Sequence, residues 1–388
     1  MNNFEFLNPT RIVFGKGTEE QTGTQVKAMG GKALLHYGSG SIKQTGLYDK
    51  IVKSLHEAGV PFVELGGVVP NPRLSLVKEG INLCLKEGVD CILSVGGGSA
   101  IDSSKAIAMG AAMGTTDIWP FFTGKGAPTG ALPTGSVVTI PAAGSESSFF
   151  TVITNDENWY KRSVQHPMLF PRFAIINPEL SFSLPPYQIG CGCVDILAHL
   201  MERYFTNVGY VDVSDRMLEG IMLAVLDNAA KTCENPADYD SRAEISWAGT
   251  LAHNSLLDRG RIGDWASHGV AAELSALYDL AHGASLSIAF PAWMKYAYKH
   301  NIPRFVQFAV RVMGVDPAYS NGEAIILEGI NRLEKFYTSV GMPTRLSHAN
   351  IPAERLREMA ERTVEFGKRG NILSITADDA ENIYKLMV

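Results

Sequence analysis

The chain lacks the features that mark membrane proteins, nucleic-acid-binding proteins and disulfide-rich secreted domains. No apolar run approaches the roughly 18 residues that a membrane span needs, and segment 1–6 has neither the basic patch nor the apolar stretch of a secretory signal. Lys and Arg number 34 against 40 Asp and Glu, so no basic excess exists to neutralise nucleic-acid phosphates. Five cysteines in 388 residues favour free thiols in a reducing cytoplasm over a disulfide scaffold. We therefore expect a cytoplasmic protein whose partners are small molecules, with neither membrane nor nucleic acid among them.

Glycine, in contrast, is abundant. The chain has 38 glycines among its 388 residues, about a tenth against a usual ~7%. They lack the regular period of collagen and lie in short clusters between apolar runs. Because glycine has no side chain, such clusters indicate tight turns or backbone that passes close to a ligand.

The first half of the chain alternates short apolar runs with segments of helical periodicity. Strands are predicted at 32–37, 62–65, 91–95, 136–140, 151–154 and 173–177, and helices at 47–58, 74–87 and 100–113. Alternation of this length is typical of βαβ units and a parallel sheet.

The pattern changes near Leu184-Pro185-Pro186, after which only helical segments follow. Helices are predicted there at 187–206, 211–232, 238–257, 265–278, 283–300, 302–313, 322–340, 352–367 and 375–387. We therefore predict an α/β domain over 1–182 and an all-helical domain over 183–388.

A glycine loop follows the predicted strand 91–95. Gly96-Gly97-Gly98-Ser99 ends that strand and opens the next helix. Free N–H groups at a helix start, approached closely because of the glycines, favour the pyrophosphate of a dinucleotide. The alternative is a tight strand-to-helix turn without a ligand.

A second loop, Gly38-Ser39-Gly40-Ser41, follows the first predicted strand. It departs from the Rossmann fingerprint because Lys43 occupies the third glycine position, and no acidic residue follows before Asp49. An acid in such a loop would repel the 2′-phosphate of NADP, whereas hydroxyls and an ammonium suit it. The loop therefore favours NADP(H) over NAD(H), the alternative being a polar surface turn. A third loop, 139–146, has small residues that can border the same cofactor.

Four residues of the second half have the chemistry of metal ligands. Asp195 and His199 are four residues apart in a helical segment, which places both side chains on one face. His268 and His282 are fourteen residues apart, a spacing that lets them converge across two helices. Three imidazoles and one carboxylate suit Zn²⁺ or Fe²⁺. The alternative for each histidine is a core residue with satisfied hydrogen bonds.

These motifs occur together and in order. Gly96-Gly97-Gly98-Ser99 is followed by Asp102 and Lys105, by the loop Gly144-Ser145-Glu146, by Asp195 with His199, and by His268 with His282; segments 8–17 and 70–72 also fit. Over nearly its whole length the chain resembles the iron-containing (group III) alcohol dehydrogenases. Within them it is most similar to the butanol dehydrogenase and broad-specificity aldehyde reductase branch.

The resemblance implies a dehydroquinate synthase-like fold, with a dinucleotide-binding α/β domain, a helical metal-binding domain and a site in the cleft between them. It implies reversible hydride transfer between NAD(P)H and an aldehyde. It also implies one divalent metal, iron or zinc, with nickel and manganese compatible, held by Asp195, His199, His268 and His282. The implied cofactor residues are Gly97, Gly98 and Ser99 at the pyrophosphate, Asp102 near the nicotinamide, Gly38, Ser39, Gly40 and Ser41 around the adenosine ribose, Asn71 and Thr139 beside the cofactor, and Lys161 at its phosphate or ribose.

Three positions depart from the family pattern. Ala143 replaces a threonine that often touches the cofactor phosphates, and Ser148 stands where the branch often has asparagine. Ala272, four residues after His268, replaces a histidine thought to assist proton relay. Because aldehyde reduction needs no strong protein base, we expect this last change to impair alcohol oxidation more than reduction.

Other functions remain open from the sequence. The alternative enzymes are a glycerol dehydrogenase relative and a metal lyase resembling dehydroquinate synthase. The non-enzymatic alternative is a metal-stabilised, nucleotide-binding sensor that has lost catalytic turnover. Ala143 and Ala272 support it. Finally, an exposed edge strand near the N-terminus of a parallel sheet predicts a homodimer formed by edge pairing.

Overall fold

The computed structural model describes residues 1–318 and 321–388. The chain divides into two compact units. The α/β unit consists of Leu7–Leu184 and Pro236–Asn254, and the helical unit of Met1–Phe6, Pro185–Asn235 and Ser255–Val388. The first six residues and the segment 236–254 therefore depart from the predicted bounds of 1–182 and 183–388. Composition and periodicity do not reveal either assignment, because residues 1–6 and 236–254 join their units through contacts with segments far away along the chain.

The strands all belong to the α/β unit. In chain order they are β1 (Arg11–Phe14), β2 (Ala33–Gly38), β3 (Phe62–Val68), β4 (Cys91–Gly96), β5 (Thr134–Val138), β6 (Phe150–Asn155), β7 (Tyr160–Gln165) and β8 (Phe173–Ile176). Six of them form a parallel sheet in the order β1-β8-β5-β4-β2-β3. The other two, β6 and β7, form an antiparallel ribbon.

The helices are shared between the two units. In chain order they are α1 (Thr22–Met29), α2 (Ser41–Gln44), α3 (Leu47–Glu57), α4 (Leu74–Glu87), α5 (Gly98–Met113), α6 (Trp119–Phe122), α7 (Pro186–Tyr204), α8 (Asp212–Glu234), α9 (Tyr239–His253), α10 (Ala266–Tyr278), α11 (His282–Ala297), α12 (Ile302–Arg311), α13 (Gly322–Ser339), α14 (Leu356–Val364) and α15 (Ala377–Lys385). Helices α1 to α6 and α9 belong to the α/β unit, and the others to the helical unit. None of the helices that the structure describes has the length and apolar character required to cross a membrane.

Helices cover both faces of the parallel sheet. Leu34 of β2 packs in one apolar cluster with Ile81 of α4 and Ile107 of α5. The next residue, Leu35, packs in another cluster with Ile51 of α3. Successive side chains of a strand point to opposite faces, so a continuous apolar run in β2 can serve both layers. The predicted α/β and all-helical fold class is confirmed.

The predicted elements agree with the structure within a few residues, and the omissions have a common cause. All nine helices predicted after residue 184 are present, and each of the six predicted strands has a counterpart. The prediction omitted β1, β7, α1, α2 and α6. These elements are short or largely polar, and tertiary contacts rather than a strong apolar period stabilise them.

Helix α7 is buried along most of its length. It packs against α8 and α11, and the side chains of Asp195, His199, Glu202 and Arg203 are all nearly inaccessible to solvent. Buried ionisable groups are costly unless they are paired, hydrogen-bonded or bound to a metal. The buried polar face of α7 is therefore stable only if its groups are paired, hydrogen-bonded or bound to a metal.

Candidate functional site

The four predicted metal ligands come together in the helical unit. Asp195 and His199 lie one turn apart on α7, with 3.7 Å between Oδ1 of Asp195 and Nδ1 of His199. His282 begins α11, and its Nε2 lies 3.8 Å from the same aspartate oxygen. His268, in the first turn of α10, has its ring centroid 4.9 Å from that of His199 and 5.3 Å from that of His282. His268 and His282 are fourteen residues apart in the sequence, and their rings meet because α10 packs against α11.

The donor atoms of this cluster fit a divalent cation. One atom each from Asp195, His268 and His282 lie within 4.8 Å of one another. Nε2 of His268 is buried and has no hydrogen-bond partner among residues 1–318 and 321–388. Burial of a nitrogen without a hydrogen-bond partner costs free energy of folding unless a ligand binds it. Imidazole and carboxylate groups are ligands of Zn²⁺ and of Fe²⁺.

Glu202 is a site residue that the sequence analysis missed. It lies on α7, three residues after His199, and it is fully buried. Its Oε1 lies 2.8 Å from Nδ1 of His268 and accepts the backbone N–H of His268 at 3.0 Å. The available signal was the spacing Asp195, His199, Glu202, which places all three carboxylate or imidazole groups on one helix face.

The glycine loop 96–99 lies at the carboxyl end of β4, where α5 begins. A Cβ at Gly97 would lie 2.8 Å from Cβ of Ile140, and one at Gly98 would lie 2.9 Å from Cβ of Ala143. The backbone N–H of Thr139, which follows β5, donates to the carbonyl of Gly96 at 3.0 Å. The structure thus brings Thr139 and the loop 139–146 against the predicted pyrophosphate loop, and packing alone already demands glycine there.

The loop 38–41 lies at the same edge of the sheet, since β2 is the neighbour of β4. Gly40 has a φ of 123°, a conformation in which an L side chain is strained. The loop adjoins a carboxylate that the sequence analysis overlooked, because Glu64 comes from the neighbouring strand β3. Nζ of Lys43 lies 4.0 Å from Oε2 of Glu64, and it also lies over the ring of Tyr48, 4.5 Å from the centroid.

Two tyrosines complete this group, which we call the Glu64 cluster: Tyr37, Lys43, Tyr48 and Glu64. The hydroxyl of Tyr37 donates to Glu64 at 3.0 Å and that of Tyr48 at 2.5 Å. The hydrogen bond to Glu64 raises the pKa of Tyr48 to about 12. The ammonium that was expected to favour a 2′-phosphate therefore faces a carboxylate in the folded protein.

Asp102 lies on the first turns of α5 and is held by two hydrogen bonds. Its Oδ1 accepts the hydroxyl of Ser145 at 2.5 Å, and its Oδ2 accepts the backbone N–H of Val152 at 3.0 Å. Burial raises the pKa of Asp102, while the charge of Lys105 opposes that rise. The predicted nicotinamide residue is thus tied to the loop that contains Ser145.

Lys105 fixes that same loop. Its buried ammonium donates to the carbonyl oxygens of Ser145, Ser148 and Phe150 at 2.7–2.8 Å. Burial lowers the pKa of Lys105 to about 8. Ser148, one of the departures from the family pattern, therefore contributes its backbone to this arrangement.

The last two predicted cofactor residues contact each other. Nζ of Lys161, on β7, donates to Oδ1 of Asn71 at 3.0 Å, and both side chains are buried. Asn71 has a φ of 54°, a left-handed conformation that asparagine tolerates better than most residues and that often marks functional positions.

Comparison with known proteins places these features in a family. The model "Iron-containing alcohol dehydrogenase" matches residues 9–178, and "Fe-containing alcohol dehydrogenase family, C-terminal" matches 190–388. The chain is 40% identical over 385 residues to a probable NADH-dependent butanol dehydrogenase 1 of Bacillus subtilis, covering 99% of each. It is 33% identical over 389 residues to the NADPH-dependent aldehyde reductase YqhD of Escherichia coli, covering 99% of each.

A solved structure agrees with these sequence relatives. The crystal structure of NADH-dependent butanol dehydrogenase A from Thermotoga maritima has 40% sequence identity to the chain and a TM-score of 0.96, with 100% of this chain and 99% of that chain covered. These relatives support an oxidoreductase activity on alcohols or aldehydes. The chain belongs to the iron-containing alcohol dehydrogenase family.

Proposed function

We propose that this protein interconverts primary alcohols and aldehydes with a nicotinamide dinucleotide and one divalent metal. The single observation that carries the proposal is the convergence of Asp195, His199, His268 and His282 in the helical unit. The names of the relatives point to the same reaction class.

The residues have distinct tasks in this reaction. The cation would be held by Asp195, His199, His268 and His282. When bound, it would act as a Lewis acid on a carbonyl or alkoxide oxygen. The backbone N–H groups of the loop 96–99 bind the dinucleotide pyrophosphate at the start of α5. A dinucleotide bound there would supply or accept the hydride. Asp102, held by Ser145 and Val152, orients the nicotinamide.

We propose that NADH is the working cofactor, which revises the expectation of NADP(H). Two of the three relatives described above are named NADH-dependent and one NADPH-dependent. The physical support is the Glu64 cluster, because its carboxylate partly neutralises Lys43 and adds a negative charge beside the loop 38–41. That charge would repel a 2′-phosphate, whereas the ribose hydroxyls of NADH can donate hydrogen bonds to a carboxylate.

We propose a straight-chain primary alcohol and its aldehyde as substrates, with butanal as the reference aldehyde. The relatives named butanol dehydrogenases support this class. A lyase would transform its substrate without net consumption of the dinucleotide, and a nucleotide-binding protein without turnover would bind NADH but transform nothing. Dinucleotide consumption therefore separates these alternatives from the proposal.

The test is an assay of metal-loaded protein. The purified chain, stripped of metal and reloaded separately with Fe²⁺, Zn²⁺, Ni²⁺ or Mn²⁺, is mixed with butanal and either NADH or NADPH. We expect stoichiometric oxidation of NADH with at least one metal, and its loss in the variant His282→Ala. Failure of every metal-loaded sample to consume either dinucleotide with any aldehyde of a straight-chain series would refute the proposal.

We further propose that the protein works as a homodimer in a reducing cytoplasm. β1 is an edge strand of the parallel sheet, and its exposed Phe14 packs edge-on against the exposed Trp247, with 6.2 Å between ring centroids. The chain has five cysteines in 388 residues, a low density that is typical of proteins from a reducing compartment. Sedimentation of the purified protein tests the dimer, and a monomer at micromolar concentration would contradict it.

A further inference from the structure

Glu202 connects one metal ligand to the start of the helix that carries it. Its carboxylate is fully buried and accepts hydrogen bonds from the backbone N–H of Trp265, the backbone N–H of His268 and the ring of His268. The first N–H groups of a helix have no partner within the helix, so Glu202 satisfies two of them at the N-terminus of α10. The third bond goes to the imidazole itself.

That third bond has a consequence for the chemistry of His268. The same Oε1 that accepts the backbone N–H of His268 lies 2.8 Å from Nδ1, and an oxygen that also accepts from the ring fixes a proton on Nδ1. Nε2 is then left with a lone pair, and it is the buried nitrogen without a hydrogen-bond partner among the described residues. Only this tautomer can bind a cation through Nε2.

A second buried acid, Asp264, lies at the same helix start and bonds the backbone. Asp264 accepts the backbone N–H groups of Ala266, Asn371 and Ile372 at 2.6–3.1 Å. Burial and the nearby charge of Glu202 raise the pKa of Asp264 to about 7. Among residues 1–318 and 321–388, Asp264 thus bonds backbone N–H groups and no metal-ligating side chain.

We propose that Glu202 is a positioning residue of the metal centre. It holds His268 in the Nδ1–H tautomer and fixes the ring so that Nε2 faces Asp195 and His282. This inference rests on the metal site of the proposed function. Carboxylates that orient ligating histidines in this way typically contribute roughly 10- to 100-fold to metal affinity.

The test compares Co²⁺ affinity in four proteins: wild type, Glu202→Gln, Asp264→Asn and His282→Ala. Each of the two amide variants replaces one acceptor oxygen of a buried carboxylate beside the start of α10 with an NH2 donor, so the two are matched in the chemical change. Competition with a chelator gives the affinity, and the visible spectrum of bound Co²⁺ reports the ligand geometry. We expect Glu202→Gln to bind Co²⁺ roughly 10- to 100-fold more weakly with an altered spectrum, and Asp264→Asn to bind like wild type.

The outcomes separate the inference from the proposed function. Equal weakening in Glu202→Gln and Asp264→Asn, or wild-type affinity in Glu202→Gln, would overturn the positioning role. If wild type does not bind Co²⁺, or if His282→Ala binds it as tightly as wild type does, the metal site fails and the inference fails with it.

A measurement on the unmodified protein remains decisive if Glu202→Gln does not fold. Nitrogen NMR of metal-free wild type, labelled at its histidines and assigned with a His268→Gln variant, distinguishes the two imidazole tautomers. We expect a protonated Nδ1 and an unprotonated Nε2 for His268. A protonated Nε2 with an unprotonated Nδ1 would overturn the inference without any change at Glu202.

Discussion

The helical unit and the α/β unit build their proposed ligand sites from different kinds of atoms. In the helical unit the cluster consists of side chains, with the buried Asp195, His199 and Glu202 spaced along one face of α7 and the half-buried His268 and His282 on α10 and α11. In the α/β unit the loops 38–41 and 96–99 are mostly glycine and serine at the carboxyl ends of β2 and β4, so they offer backbone groups. A charged cation is matched by charged and polar side chains, whereas a long anionic dinucleotide is matched by a row of N–H groups.

This difference predicts two kinds of failure on mutation. Loss of one side chain removes a ligand from the helical unit and leaves its backbone in place. Addition of one side chain in the α/β unit blocks the approach of a ligand. Variants of the two kinds should therefore affect different binding constants.

The largest effect is expected for Asp195→Ala, which removes the only carboxylate among the four proposed ligands. We expect turnover to fall by roughly 10³-fold or more, because the Lewis acid supplies several kcal/mol of the rate enhancement. The Kd for NADH, measured by fluorescence, should stay within about twofold of wild type. The matched control is Asp227→Ala, an exposed aspartate on α8. Tight Co²⁺ binding by Asp195→Ala would contradict the ligand assignment.

The reciprocal variant is Gly97→Val. The backbone of Gly97 suits valine (φ −90°, ψ −169°), but a Cβ there would lie 2.8 Å from Cβ of Ile140. The loop must move, and overpacking of this kind costs about 1–3 kcal/mol, so NADH binding should weaken roughly 10-fold or more. Gly130→Val is the control, since a Cβ at that position meets only Ala112 at 3.5 Å. Unchanged NADH affinity in Gly97→Val would contradict the proposed difference between the two units, and so would an equal loss of Co²⁺ affinity.

Glu64→Gln tests the cofactor preference of the α/β unit. Removing the charge beside Lys43 should raise kcat/KM for NADPH relative to NADH by roughly fivefold, as expected for one screened charge near a phosphate. Glu57→Gln, which removes an exposed charge paired with Lys53 at the end of α3, is the control. If the NADPH-to-NADH ratio does not change, Glu64 has no part in the preference.

The smallest effect is expected for Ala272→His in the helical unit. Ala272 is half-buried and lies one turn after His268 on α10. An imidazole there can accept a proton during alcohol oxidation, so oxidation of butanol should rise by a few-fold while aldehyde reduction changes less. Ala272→Asn adds a polar side chain that does not titrate and serves as the control. Equal gains in both directions, or in the asparagine variant, would argue against a proton relay at this position.

How far the sequence predicted the sites depended on whether the relevant contacts are local. Asp195 and His199 are one helical turn apart, so their shared face follows from periodicity. The four helix-borne ligands do converge, yet His268 and His282 meet only because α10 and α11 pack as a pair. Glu64 was missed because it lies across the sheet on β3, whereas the acid of such a loop is expected further along the chain after residues 38–41. Glu202 was missed because its spacing from Asp195 and His199 shows only a shared face of α7, whereas its partner His268 lies 66 residues further along the chain.

The two-sided packing of β2 limits how the chain can vary in length. Leu34 and Leu35 point to opposite layers, and the strand leads directly into the loop 38–41. Deletion of one residue between 33 and 37 would exchange the two sets of side chains and draw the loop back by one position. Insertions and deletions should therefore be rejected in β2 even where single apolar substitutions are accepted. Among homologous sequences, this strand should vary in residue type while keeping a constant number of residues before its loop.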